Sequence, residues 1–319
     1  MNNRLMWALG AALLVLAYQS LWQPAMWVYN DRSLVHPAIT SFNVNRILAT
    51  ATWAMTNTPE QARLVNLLLH ACNVILVGLI TRRIMMEWAA IAVALAWALH
   101  PLNVETIAYG AGRSEILAAT GVLIAVLAAV ANGRFWCLWA AFGLVLGLAA
   151  KESAVVTLGL VPLARLISDH KWRLTVGSCA VVAIAAVIWF GGPVAIANME
   201  IYSNQVSGIE WALVQSTALA RLVWLAIVPF GQTIDYDYDI VPVAVRVLCV
   251  AALLICTTLV WIRHRTPLTV FGLAWLFIAV APRLIVQTPR SYLNEHQFYV
   301  PLIGLAVAGG GLINRRTAI

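Results

Sequence analysis

HPLNVETIAYGAGRSE, residues 100–115, sets a histidine, two carboxylates, an arginine, an amide and a tyrosine in one short run between apolar segments. Ionisable groups at a membrane boundary are costly to desolvate, so they persist where they pair with one another or take part in function. The run therefore reads as a loop joining two spanning helices, one over 88–99 and one over 116–131. Working outward, the same alternation of apolar runs and brief polar breaks covers the chain. Of 319 residues, 62% are hydrophobic and only 10% are charged. Such a composition describes an all-α polytopic membrane protein and excludes a soluble enzyme.

Further spans are predicted over 5–21, 62–80, 137–150, 153–167, 174–190, 243–262, 267–281 and 298–313, which makes about ten crossings in a single domain over residues 1–319. The apolar N-terminus lacks a small-residue cleavage site, so it is read as the first helix and not as a signal peptide. Residues 22–61 are too polar to cross and form a first extracytoplasmic loop with short interfacial helices. The formal charge of +7 comes from short Lys/Arg clusters between spans and not from one basic face, so no nucleic acid is expected as a partner. Arg4, Arg82 with Arg83, Arg134, Lys171 with Arg173, Arg263 with Arg265, and Arg315 with Arg316 fall on one side only if 209–230 does not fully cross. The positive-inside rule then makes 209–230 a re-entrant or interfacial helix and places both termini in the cytoplasm.

With that topology Asp31, His100, Glu105, Arg113, Glu115, Lys151, Glu152, Asp235, Arg290, Glu295 and His296 gather at the extracytoplasmic side. Asp31, beside Asn30 and Arg32 after the first span, is either a general base or a solvated loop carboxylate. His100 and Glu105 either orient a polar substrate or cap helix ends. Arg113 either grips a phosphate, which its permanently charged planar fork suits, or pairs with Glu115. Lys151 and Glu152 tip a short hairpin. The helix before them has about 14 residues and reaches ~21 Å, short of the ~30 Å apolar core, so the pair is expected below the membrane surface. They either meet a phosphate or neutralise each other. Arg63, Asn66, His70 and Asn73 share one helical face and are expected to bond helix to helix. Arg290, Glu295 and His296 stand at the mouth of the last helix.

Cys72, Cys137, Cys179, Cys249 and Cys256 lack CxxC spacing and are expected as free thiols, without disulfide or zinc. Asp235, Asp237 and Asp239 lack the glycine and distal glutamate of a calcium loop, so no metal is expected there. Nucleotide-binding, zinc-protease and serine-hydrolase motifs are missing.

Several of these segments, taken in order, carry a resemblance. They are YNDRSLVHPAI after the first helix, RLVNLLLHACNVILV in the second, HPLNVETIAYGAGRSEILAA, AAKESAVVTLGLVPL across the short hairpin, and FYVPLIGLAV in the last helix. Together they resemble the membrane portion of the transmembrane and tetratricopeptide-repeat O-mannosyltransferases, members of the GT-C glycosyltransferase superfamily, without the repeats. The resemblance implies a GT-C-like bundle; the small size and the lack of an organelle signal, taken separately, lead to the expectation of a bacterial or phage-encoded protein in a bacterial inner membrane. Its activity would move a monosaccharide, with inversion, from a polyprenyl-phosphate carrier to an acceptor hydroxyl of a protein, glycan or lipid at the extracytoplasmic face. It also implies that Asp31 is the catalytic base, with Asn30 departing from the family's acidic pair, and that no cofactor is needed. A second departure is His296-Gln297, where the family commonly has an arginine-tyrosine pair. Cations at Arg113, Lys151, Arg290 or His296 would hold the donor phosphate. A polyprenyl-lipid or small-molecule transporter and a non-catalytic GT-C-like scaffold are the rival readings.

Overall fold

The computed structural model describes residues 3–19, 46–131, 133–168, 208–232, 241–264, 266–285 and 294–313. Among them the secondary structure is helical, with no strand. The helices are α1 (Asn3–Ala17), α2 (Ile47–Ala54), α3 (Pro59–Ile84), α4 (Glu87–Ala98), α5 (Asn103–Ala108), α6 (Arg113–Ala131), α7 (Trp136–Ala150), α8 (Thr157–Ser168), α9 (Gly208–Ile227), α10 (Val243–Arg263), α11 (Pro267–Ile285) and α12 (Tyr299–Ile313). Three short 3-10 turns, Gly110–Gly112, Glu152–Val156 and Glu295–Phe298, lead into α6, α8 and α12.

Among the described residues four helical stretches are long and apolar enough to cross a membrane: Pro59–Ile84, Gly110–Ala131, Val243–Arg263 and Glu295–Ile313. Four shorter apolar helices accompany them: Met6–Ala17, Glu87–Ala98, Trp136–Ala150 and Pro267–Arg283. The chain is a membrane protein by this measure. The expected span over 174–190 and most of the loop over 22–61 lie outside the described residues. Within that loop the described part forms one short helix, α2.

Helix α3 shows how local chemistry sets an element. The Thr58 side chain accepts from the Gln61 backbone N–H at 3.3 Å, and Pro59 occupies the first turn, where its missing donor is harmless. Glu60 begins the helix and Arg82 and Arg83 end it, each matching the sign of the helix dipole. The result is 26 residues, longer than the predicted 62–80 at both ends.

Two pairs of helices pack backbone to backbone. A Cβ on Gly121 of α6 would strike the backbone of Gly143 and Gly147 of α7, and one on Gly304 of α12 would meet the Gly272 carbonyl of α11 at 2.7 Å. Small residues of this kind let helices associate in lipid, where no hydrophobic drive exists between them. Around these pairs Trp97, Ile91, Leu123, Leu160, Trp275 and Phe298 are buried.

Polar bonds fix the direction of each helix. The Asn66 amide donates to the Ile107 and Tyr109 carbonyls, and the Asn73 amide to the Ile116 carbonyl, so α3 and α6 run parallel. The Tyr18 hydroxyl donates to the Ala98 carbonyl, joining the ends of α1 and α4. Thr266, just before α11, donates to the Gly311 carbonyl near the end of α12. One end of the bundle therefore holds residues 46–63, 98–115, 151–156, 283 and 294–298. Of the described carboxylates Glu60, Glu105, Glu115, Glu152 and Glu295 sit there. Arg82, Arg83, Arg134 and Arg263 lie at the opposite end.

Helix α9 is tethered to the carboxylate-rich end at both of its own ends. Near its start the Trp211 indole donates to the Arg283 carbonyl, and at its close the Ala226 carbonyl is bonded by His100. With 20 residues, about 30 Å at ~1.5 Å per residue, it lies across this end of the bundle. Helix α10 is apolar yet exposed along nearly its whole length, with Arg246 its one buried residue.

Candidate functional site

The site is built on the run 100–115. After α4 the chain turns at Pro101 and forms α5, a short helix inside the polar loop that hydrophobic periodicity does not announce. The His100 Nδ1 accepts the Leu102 backbone N–H at 3.2 Å, which leaves Nε2–H to donate to the Ala226 carbonyl at 3.1 Å. Burial pushes the imidazole below its ordinary pKa, against the opposing pull of the Ala226 carbonyl. Both ring nitrogens are thereby engaged in holding α5 and α9, so the ring acts as a neutral clasp between loop and helix.

Arg113 is fully buried at the start of α6. Its Nε donates to Asn66 Oδ1 at 3.0 Å and its Nη2 to the Ala62 carbonyl at 3.2 Å. Nη1 donates to the Thr52 carbonyl at 2.6 Å and to Thr56 Oγ1 at 3.3 Å. The guanidinium thus stitches α2, the 55–58 turn and α3 to α6. Its donors point into the chain, toward acceptors at Thr52, Thr56, Ala62 and Asn66.

Glu115, one half-turn on, meets the tip of the α7–α8 hairpin. Lys151 Nζ lies 2.5 Å from Glu115 Oε2, with side-chain exposures of 15% and 6%. Ser153 Oγ donates to the same oxygen at 3.5 Å. The pairing places the AAKES hairpin directly against the 100–115 run. Its low exposure agrees with the shortness of α7, whose 15 residues reach ~22 Å.

Glu152 turns the other way and takes Arg46, with Nη2 to Oε1 at 2.8 Å and Nε to Oε2 at 3.4 Å. Burial raises the pKa of this carboxyl, but the charges of Arg46 and Lys151 outweigh it and hold the group below its usual range. Lys151 and Glu152, adjacent in the chain, are each committed to a partner from elsewhere.

Glu105 of α5 receives His296 twice, from the ring Nδ1 at 2.8 Å and from the backbone N–H at 3.1 Å. This fastens the loop to the turn that heads α12. Glu295 is buried in the same turn. Beneath it the Tyr299 hydroxyl lies 2.7 Å from His70 Nδ1 and takes a bond from the Asn73 amide at 3.3 Å. The polar stripe on α3 therefore does join helix to helix: Arg63 to the Ala108 carbonyl, Asn66 to the loop, His70 and Asn73 to α12 and α6.

Eight predicted site residues thus gather at one end of the bundle: His100, Glu105, Arg113, Glu115, Lys151, Glu152, Glu295 and His296. Asn30, Asp31, Arg32 and Arg290 lie outside the described residues. Arg46 and Arg283 belong to the same end and were not singled out from sequence. Arg46 carried no motif, whereas Arg283 was legible as a lone cation closing an apolar run just after Pro282. Among the described residues no three of His, Cys, Asp and Glu converge as a metal site requires, and Cys72, Cys137, Cys249 and Cys256 are free thiols.

No family model, curated protein or solved structure matches the chain.

Proposed function

We propose that this chain is an inverting glycosyltransferase of the GT-C type. It takes a monosaccharide from a polyprenyl-phosphate carrier and gives it to an acceptor hydroxyl at the extracytoplasmic face of a bacterial inner membrane. The observation that carries this reading is the Lys151–Glu115 pair, which joins two of the segments bearing the family resemblance at a partly sheltered, carboxylate-rich end of the bundle. The finer topology belongs to the same proposal. About ten spans cross, α9 lies flat at the outer surface, and both termini are cytoplasmic. The arginines at the opposite end agree with this sidedness. Gathering of the ionisable groups at one end favours surface chemistry over a transport path, which calls for charges at mid-membrane.

In the proposed reaction the Asp31 carboxylate takes the proton of the acceptor hydroxyl as its oxygen attacks the anomeric carbon. The bond from that carbon to the phosphate oxygen breaks, its electron pair leaves with the phosphate, and the configuration inverts. Fixed cations near the departing phosphate lower the barrier because they need not reorganise as charge develops. Lys151 is suited to this task because a ligand phosphate can compete with Glu115 for its ammonium group. Arg113 and His100 hold the loop in place, and Glu105 with His296 fastens it to α12.

The test is transfer by the purified chain in vesicles, offered a panel of polyprenyl-phosphate monosaccharides. Asp31→Asn should lower transfer by about 10²–10⁴-fold with carrier binding retained, the usual contribution of a general base. Transfer at the native rate would remove Asp31 as the base. A native chain that transfers no sugar from any such carrier would overturn the reading as a whole.

A further inference from the structure

Arg283 closes α11 at the carboxylate-rich end and lines a small pocket between α9, α11 and the turn Glu295–Phe298. Gln215 and Gln297 share the lining with Leu222, Val280 and Phe298. The backbone here is pinned, since the Trp211 indole donates to the Arg283 carbonyl at 3.0 Å. The guanidinium, by contrast, has no hydrogen-bond partner among the described residues. The charge acting on it is that of Glu115, whose Oε2 is already held by Lys151. Arg46 is matched by Glu152.

A guanidinium partly withdrawn from water without an anion of its own is unfavourable, and a ligand anion relieves the cost. Its planar fork suits two oxygens of one phosphate. The pocket volume of about 20 Å³ admits a water-sized group and no sugar ring, so an oxygen of an anionic head fits and the sugar must lie outside. Leu222, Val280 and Phe298 make much of the remaining wall apolar. We infer that Arg283, with Gln215 and Gln297 beside it, binds the phosphate of a lipid-linked donor. The inference rests on the glycosyltransferase reading for the identity of that lipid.

The experiment is calorimetric titration of the detergent-purified full chain with farnesyl phosphate, uncharged farnesol and inorganic phosphate. Farnesyl phosphate should bind, and both the other compounds should bind at least tenfold more weakly. Arg283→Gln should weaken farnesyl phosphate at least tenfold and leave farnesol unchanged. Arg221→Gln, a half-buried arginine of α9 bonded to the Gly231 carbonyl, should bind as the native chain does. Where Arg283→Gln does not fold, Arg283→Lys decides, because it keeps the charge and loses the fork, and affinity should fall at least fivefold. Native affinity in the folded variant overturns the assignment. Inorganic phosphate binding as tightly as farnesyl phosphate overturns the lipid. Farnesyl phosphate binding that depends on Arg283, in a chain that transfers no sugar, would leave this site standing and remove the enzyme reading.

Discussion

Replacing Arg113 by alanine separates two roles that the sequence left open. The side chain is fully buried and makes four hydrogen bonds to α2, the following turn and α3. The Ala62 carbonyl lies inside α3 and keeps its helical environment, so its loss is small. The Thr52 carbonyl and Asn66 Oδ1 lose a charged donor in a sheltered place, which costs about 1–3 kcal/mol each. The space left by the guanidinium adds a cavity term, bringing the total to about 3–5 kcal/mol. At roughly 2–4 °C per kcal/mol, thermal unfolding of the detergent-purified chain should shift down by about 6–20 °C. Arg113→Lys keeps one or two of the bonds and should fall between. In the fraction that remains folded, affinity for farnesyl phosphate should be close to native. A variant that melts with the native chain yet loses the lipid phosphate would refute the argument and return Arg113 to the binding site.

Two further outcomes follow from the neighbouring ion pairs. Lys151→Met leaves the Glu115 carboxylate, 6% exposed, without its cation, and should destabilise the fold by about 3 kcal/mol. Adding Glu115→Gln should restore much of that loss, and a purely additive double variant in thermal unfolding would show that the pair is not coupled. Because Glu152 has a folded-state pKa below its unfolded value, its stabilising contribution is complete above the unfolded pKa and is lost as pH falls through the folded one. Native protein should therefore lose stability on acidification more steeply than Glu152→Gln. The difference should be modest and fade with salt, since the Glu152 side chain is 58% exposed.

Helices were legible as long apolar runs between short polar breaks, and eight of the predicted segments meet observed helices of apolar character. The ends of α3 were not legible. Its first turn, Pro59 to Gln61, fell in the expected loop and is helical because the Thr58 side chain caps it. Helix α5, six residues long, is too short to show a period. For the site, residue types and their common end could be read from charge counting. Partners could not, because an ion pair depends on what three-dimensional packing brings near. Lys151 and Glu152 are adjacent in sequence, yet each finds its counter-charge from a different element, at Glu115 and Arg46. Likewise Arg113, whose spacing from Glu115 suggested a local pair, is drawn to four acceptors on other elements.

The bonds between the Tyr299 hydroxyl, His70 and Asn73 tie a helix made early in synthesis to one made late. His70 and Tyr299 are separated by 229 positions, about 10–45 s of translation at ~5–20 residues per second. During that interval α3 sits in the bilayer with a buried imidazole and amide whose final partner does not yet exist. Until then His70 can hold only the Ala98 carbonyl, and Asn73 only Ile116 and Thr120. Arrival of a single tyrosine closes that window.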